Sequence, residues 1–123
     1  MPAEFGVGID LILLSRAREF LREYRPHLGR LLSDQEKKVW LRKRISARNF
    51  ARLFAAKEAF FKALGRSWMG LEGLASMEVG FLSGERFRAH LADEKTFCGG
   101  GSFFETSGYI GAQVVVWNAL DLA

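Results

Sequence analysis

Ser46-Ala47-Arg48-Asn49-Phe50-Ala51-Arg52-Leu53-Phe54-Ala55-Ala56-Lys57-Glu58-Ala59-Phe60-Phe61-Lys62-Ala63-Leu64-Gly65 reads as one long helix without a proline. Ser46 can cap its first turn, and Gly65 is a natural stop just past Leu64. Phe50, Leu53, Phe54, Lys57, Phe61 and Leu64 recur at the i, i+3, i+4 spacing of one helix face. Ala51, Ala55, Glu58 and Lys62 form a second stripe, where two alanines leave room for close approach to a carboxylate and an amine. A plain i,i+4 Glu-to-Lys pair is one reading, worth a few tenths of a kcal/mol. The other starts from the surroundings. Glu58 and Lys62 stand among Phe54, Phe60, Phe61 and Leu64, and a partly buried carboxylate requires a partner.

Upstream, Phe5, Val7 and Ile9 alternate with Glu4, Gly6, Gly8 and Asp10, the pattern of a strand that closes at Asp10. Leu14, Ala17, Phe20, Leu21 and Tyr24 recur at helical spacing until Pro26 ends that helix, with Arg16, Arg18, Arg22 and Arg25 on its remaining surface. Ser33-Asp34-Gln35-Glu36 is a capping box opening a short helix with Val39 and Trp40, beside the basic run Arg42-Lys43-Arg44. Downstream, Met77, Val79 and Phe81 alternate, Ser83-Gly84 turns the chain, and Phe87, Ala89 and Leu91 alternate on the return. Ala92–Gly101, with three consecutive glycines, reads as a loop. Ser102–Thr106 and Tyr109–Trp117 form a second hairpin across Ser107-Gly108. A strand, then helices, then hairpins predicts an α+β domain with a largely antiparallel sheet packed with helices, one of them long.

The 123 residues and 13.9 kDa suit one domain, residues 1–123. With 49% apolar and 26% charged residues and two prolines, the composition excludes disordered and collagen-like classes. Sixteen aromatics, eleven of them Phe, supply the bulk of a core. Cys98 is the single cysteine, so no internal disulfide is possible and a reducing compartment is expected. The first ten residues lack a leader pattern and no apolar run approaches membrane length, which predicts a cytoplasmic protein with no membrane partner. The net charge of +4 hides an asymmetry: residues 16–66 carry +10 and the rest −6. A basic half suggests an anionic partner, and a solvated helix face is the plainer alternative.

Asp10, at the end of its strand, reads in isolation first as a turn or cap aspartate; alternatively it is half of a Mg²⁺ site shared with Glu58. That ion takes one or two protein carboxylates and completes its shell with water and phosphate oxygens. His27 and His90 have no partner at metal-ligand spacing and read as surface residues. Nothing near Cys98 in the sequence nominates a base for it, and Gly99-Gly100-Gly101 lacks the Lys-Ser/Thr of a phosphate loop.

Gly8-Ile9-Asp10-Leu11, Arg16 six positions after the aspartate, and Phe54-Ala55-Ala56-Lys57-Glu58-Ala59-Phe60-Phe61-Lys62-Ala63-Leu64-Gly65 together resemble the holo-(acyl carrier protein) synthases, the short 4′-phosphopantetheinyl transferases. Ala112-Gln113-Val114-Val115-Val116 is similar to that family's last strand, so the resemblance runs over almost the whole chain. It implies the phosphopantetheinyl transferase-like fold and a role in fatty acid biosynthesis. The implied reaction is transfer of 4′-phosphopantetheine from coenzyme A to a serine of an apo acyl carrier protein, with release of 3′,5′-ADP. By the same resemblance, Asp10 and Glu58 would hold Mg²⁺, Glu58 or a metal-bound water beside it would take the serine proton, and Lys62 would neutralise the departing phosphate. Coenzyme A would lie against Arg44, Arg52, Lys62, Gly65 and Thr106. The carrier protein would dock on Arg16, Phe20, Arg22 and Arg25, and the assembly would be a homotrimer.

The chain departs from the family pattern at four places. Leu53 stands where an arginine is usual, with Arg52 one residue, or about 100°, away around the helix. Arg66-Ser67 replaces Thr-Gly, and Ser83-Gly84 stands in for a Gly-x-Pro turn. Glu105, in Ser102-Phe103-Phe104-Glu105-Thr106, occupies the position of a histidine. Glu105 is a candidate for proton transfer. Facing a pyrophosphate, it must be protonated, metal-linked or paired with a base such as Lys62. These departures motivate an alternative, a relative that binds carrier or coenzyme without turnover. A nucleic-acid-binding domain is disfavoured, because the aromatics sit at core spacing and are not interleaved with the basic residues.

Overall fold

The computed structural model describes residues 5–65, 71–92 and 96–118, so Arg66-Ser67 lies outside the described residues. The elements are β1 (Phe5–Leu13), α1 (Leu14–Tyr24), a 3₁₀ segment (Arg25–Leu31), α2 (Asp34–Trp40) and α3 (Ala47–Ala63). A second 3₁₀ segment (Leu71–Ser76), β2 (Met77–Phe81), β3 (Arg86–Leu91), β4 (Phe97–Thr106) and β5 (Tyr109–Asn118) follow. The strands form one antiparallel sheet in the order β1-β5-β4-β3-β2, with α3 laid across one face. The predicted α+β class and both hairpins are present.

The face of β1 that meets α3 is the reverse of what its apolar alternation suggests. Phe5, Val7, Ile9 and Leu11 point away from α3 and are exposed, Val7 by 74%. Gly6 and Gly8 face the helix instead. A methyl group on Gly8 would collide with the carbonyl oxygen of Ala59, and one on Gly6 with that of Ala63. Absence of both Cβ atoms lets helix backbone rest on strand backbone. Four residues of helix advance about 6 Å and two of strand about 6.6 Å, so the pairing of Gly6 with Ala63 and Gly8 with Ala59 carries Asp10 to the level of Ala55. β1 also runs past Asp10 to Leu13, pairing Asp10 with Ala112 and Leu13 with Tyr109. Asp10 is therefore a mid-strand residue, and α1 is capped by Leu13 with no side-chain bond.

The glycine run is strand, not loop: β4 begins at Phe97, and within Ala92–Gly101 the residues 93–95 lie outside the described residues. The missing side chains admit rings. A Cβ on Gly99 would press on Phe60 of α3, and one on Gly101 would meet Phe87. Phe60 and Phe87 are buried there with Val114, Val116 and Ile110.

Lys57, on the apolar stripe of α3, is 1% exposed. Its Nζ donates to Glu36 Oε1 at 2.6 Å, to Leu74 O at 2.6 Å and to Leu31 O at 2.9 Å. Burial lowers its hold on a proton and the Glu36 carboxylate opposes that. Glu36 also accepts the backbone amides of Ser33 and Val79, while Ser33 Oγ accepts from the Glu36 amide, completing the predicted capping box. Ser33 Oγ donates in turn to Glu78, which pairs with His90 at 3.0 Å, so His90 is a sheet-face partner and not an isolated surface residue. One buried ion pair thus ties both 3₁₀ segments, α2 and β2 to the helix that carries the candidate site.

Candidate active site

The glycine contact creates a seam between β1 and α3 from which the candidate acids and amine project. Lys62 Nζ donates to Asp10 Oδ1 at 2.7 Å and more loosely to Ile9 O at 3.4 Å. The amine is half exposed, and the carboxylate it bonds is mostly buried. Glu58 is half-buried one helical turn before Lys62. Asp10 and Lys62, 52 residues apart in the sequence, are therefore joined across the seam, with Glu58 one helical turn before the lysine. Two hard carboxylates on closely packed elements suit Mg²⁺, which needs few protein ligands. Among the described residues no group of three His, Cys, Asp or Glu offers a fuller metal cage.

A second charged cluster lies at the other end of α3, about 15 Å along the axis from Lys62 to Arg52. Arg48 donates to the Glu105 carboxylate, and Arg52 stands 3.8 Å from it while bonding Glu85 at 3.0 Å and Asn49 at 3.1 Å. The Arg48 bond holds the Glu105 carboxyl below the usual carboxylate range, and Glu105 in turn raises Arg48. The Arg52 guanidinium sits 6.0 Å over the Phe103 ring, and its Nε is buried without a partner among the described residues. Glu105 thus finds cations, as its charge demands, but they are Arg48 and Arg52, with Lys62 engaged by Asp10. Glu105 meets, in one network, Arg52, the neighbour of the Leu53 departure, and Glu85, which follows the Ser83-Gly84 turn. Arg48 and Glu85 were not singled out from the sequence. Arg48 and Arg52 share a stripe at i,i+4, and two cations so placed were the available signal. Glu85 follows the Gly84 turn with φ of 59°, a turn position that the sequence alone does not aim.

Thr106 is exposed beside Glu105 at the end of β4, and Gly65, with φ of 70°, ends α3 three residues after Lys62. Arg44 is exposed in the turn before α3, near Arg25. Arg25 donates to Ile45 O at 3.1 Å, so it also braces that turn. The four residues expected to receive a carrier divide. Arg16 and Phe20 line a groove of about 770 Å³ between α1, the end of β1 and the start of α3. Arg22 is exposed on a neighbouring face of α1, and Arg25 has turned toward Ile45. Glu19 and Glu23, passed over in the sequence, line the groove with Arg16.

Residues 6–110 match the family model of the 4′-phosphopantetheinyl transferase superfamily. The holo-[acyl-carrier-protein] synthase of Syntrophotalea carbinolica is 46% identical over 66 residues, 53% of this chain and 52% of that protein. That of Wolbachia pipientis is 31% identical over 97 residues, 76% of this chain and 77% of its own. The chain spans about half the length of the first of these relatives. A crystal structure of a holo-(acyl-carrier-protein) synthase from Bacillus anthracis, in complex with CoA (3′,5′-ADP), superposes with a TM-score of 0.69 at 28% identity, covering 92% of this chain and 96% of that one.

Proposed function

Because this chain belongs to the 4′-phosphopantetheinyl transferase superfamily, we propose that it is a holo-[acyl-carrier-protein] synthase, transferring 4′-phosphopantetheine from coenzyme A to a serine of an apo acyl carrier protein. The observation that supports this reading is the seam itself, where Lys62, one helical turn after Glu58, bonds Asp10 beside glycines that let the helix backbone rest on the strand. Asp10 and Glu58 would hold Mg²⁺, which when bound neutralises charge on the pyrophosphate oxygens.

The chain's own groups account for the rest. Glu58 accepts the serine proton as the serine Oγ forms its bond to the phosphorus bearing pantetheine. The bond from that phosphorus to the bridging oxygen breaks, and 3′,5′-ADP departs with the electron pair. Lys62, on a long exposed stem, exchanges its bond to Asp10 for the charge growing on the leaving phosphate. Lys62 and Gly65 at one end of α3, and Arg44, Arg52 and Thr106 toward the other, are the groups this reading gives to the coenzyme. Arg48 joins them. Glu105 acts here by aiming Arg48 and Arg52, because a carboxylate already bonded to a guanidinium is a poor proton acceptor at neutral pH.

The carrier protein docks along α1 through Arg16 and Phe20, with Arg22 beside them, and Arg25 supports that surface from behind. The apolar row Phe5, Val7, Ile9 and Leu11, continued by Val115, supports a homotrimer in which this sheet face is covered by other subunits. No helix among the described residues is long and apolar enough to cross a membrane.

Incubating the protein with an apo carrier protein, coenzyme A and Mg²⁺ and weighing the carrier by mass spectrometry tests the proposal. A phosphopantetheine adduct is expected, and Glu58→Gln should lower the rate by about a hundredfold or more. Carrier that binds but gains no mass would favour a relative that binds without turnover. Adduct formation undiminished in Glu58→Gln would overturn the role given to Glu58.

A further inference from the structure

The groove beside α1 has an apolar floor and a rim of mixed charge. Phe20 stacks on Phe50 at 5.8 Å and leans on Phe54 at 6.2 Å, so the floor is a fixed aromatic surface and not a mobile loop. Arg16, Glu19 and Glu23 line the groove with Phe20, as residues three, four and seven apart on one face of a helix. Arg18 and Arg22 are exposed about a third of a turn away around the same helix, so the most basic face of α1 is not the one that borders the groove. Glu19 and Glu23 are like charges at i,i+4, an arrangement that costs a helix stability. Neither enters any of the ion pairs found among the described residues. A uniformly acidic partner would be drawn to Arg16 and repelled by the two glutamates beside it. A partner with one acid and one base, spaced by one to two helical turns, would satisfy all three.

We propose that Glu19 and Glu23 set carrier specificity in this protein, the occupant of the groove being a carrier-protein helix that presents an acidic side chain to Arg16 and a Lys or Arg, one to two turns along, to the glutamates. The inference rests on the phosphopantetheine-transfer reading for the identity of the occupant. Its physical content is the charge order along the rim. Because the residues are exposed, their substitution leaves the fold intact, and rim charges act mainly on encounter and KM.

The experiment compares two apo carrier proteins that differ only in the helix following the modified serine. One is uniformly acidic and the other carries a single Lys one to two turns from an acid. Transfer kinetics and direct binding by calorimetry are measured for the wild-type chain and for Glu19→Lys/Glu23→Lys. The wild-type chain is expected to favour the Lys-bearing carrier by about tenfold in kcat/KM, through KM and not kcat, and by a similar factor in Kd. The double reversal should invert that order, and added salt should shrink both preferences. Equal use and equal binding of the two carriers by the wild-type chain would overturn the inference while leaving the transferase reading in place. A binding preference with no transfer to either carrier would support the inference and overturn the activity. Binding of neither carrier would overturn the inference as well.

Discussion

Glu105 carries its charge against the Arg48 guanidinium, with Arg52 close behind, and that pairing decides what the residue can do. A folded-state carboxyl held below its ordinary range contributes its stabilisation at pH values above that range and loses it as pH falls through the lowered value. Between about pH 5 and 8 its charge is therefore constant. Glu105→Gln is expected to leave the acid limb of the kcat profile unmoved and to raise KM for coenzyme A several-fold, as Arg48 and Arg52 lose their brace. Disappearance of the acid limb in that variant would instead mark Glu105 as the base. The histidine-to-glutamate departure was plain from the sequence. That Arg48 answers it was not, because 57 residues separate the two and only the packing of α3 on β4 and β5 joins them.

On the scale of elements, α3 depends on two opposite kinds of contact, a bare backbone seam on one side and a buried ion pair on another. Gly8→Ala would drive a methyl group into Ala59 O, so the helix must lift from β1. A loss of about 1–3 kcal/mol in urea unfolding is expected, together with weakening of the proposed transfer, since Asp10 on the strand and Lys62 on the helix would separate. Lys57→Met leaves Glu36 and two backbone carbonyls without their donor, and should cost about 3–5 kcal/mol by the same measurement. Helix ends and strand periods were legible in the sequence because caps, turns and alternation are local. The facing of β1 was not, because the rule that apolar residues turn inward fails where glycine is the surface against which a helix packs. The glycine run of β4 misled for the same reason: its missing side chains make space for Phe60 and Phe87, which are remote in sequence. Lys57 was visible on the apolar stripe, but its partner Glu36 was read only as a cap.

For the molecule as a whole, the sheet face away from α3 presents Phe5, Val7, Ile9 and Leu11 in a row, each at least half exposed, and contiguous exposed apolar rows of this kind mark interaction surfaces. If the proposed trimer forms through this face, Val7→Asp, at a position 74% exposed in the single chain, is expected to preserve the circular dichroism spectrum while shifting sedimentation toward monomer. A variant that sediments as wild type would exclude this face as the subunit contact. The class of the fold and its hairpins could be named before the structure. Which face of β1 stays exposed could not, since the same alternating residues serve a core and a surface equally well. The deep seat of Lys57 has one more consequence. Its amine is sealed by three acceptors while that of Lys62 stands in solvent, so an acylating reagent should modify Lys62 at once and reach Lys57 only when α3 parts from both 3₁₀ segments. The ratio of the two labelling rates, read by peptide mapping, would then act as a clock for opening of the native state.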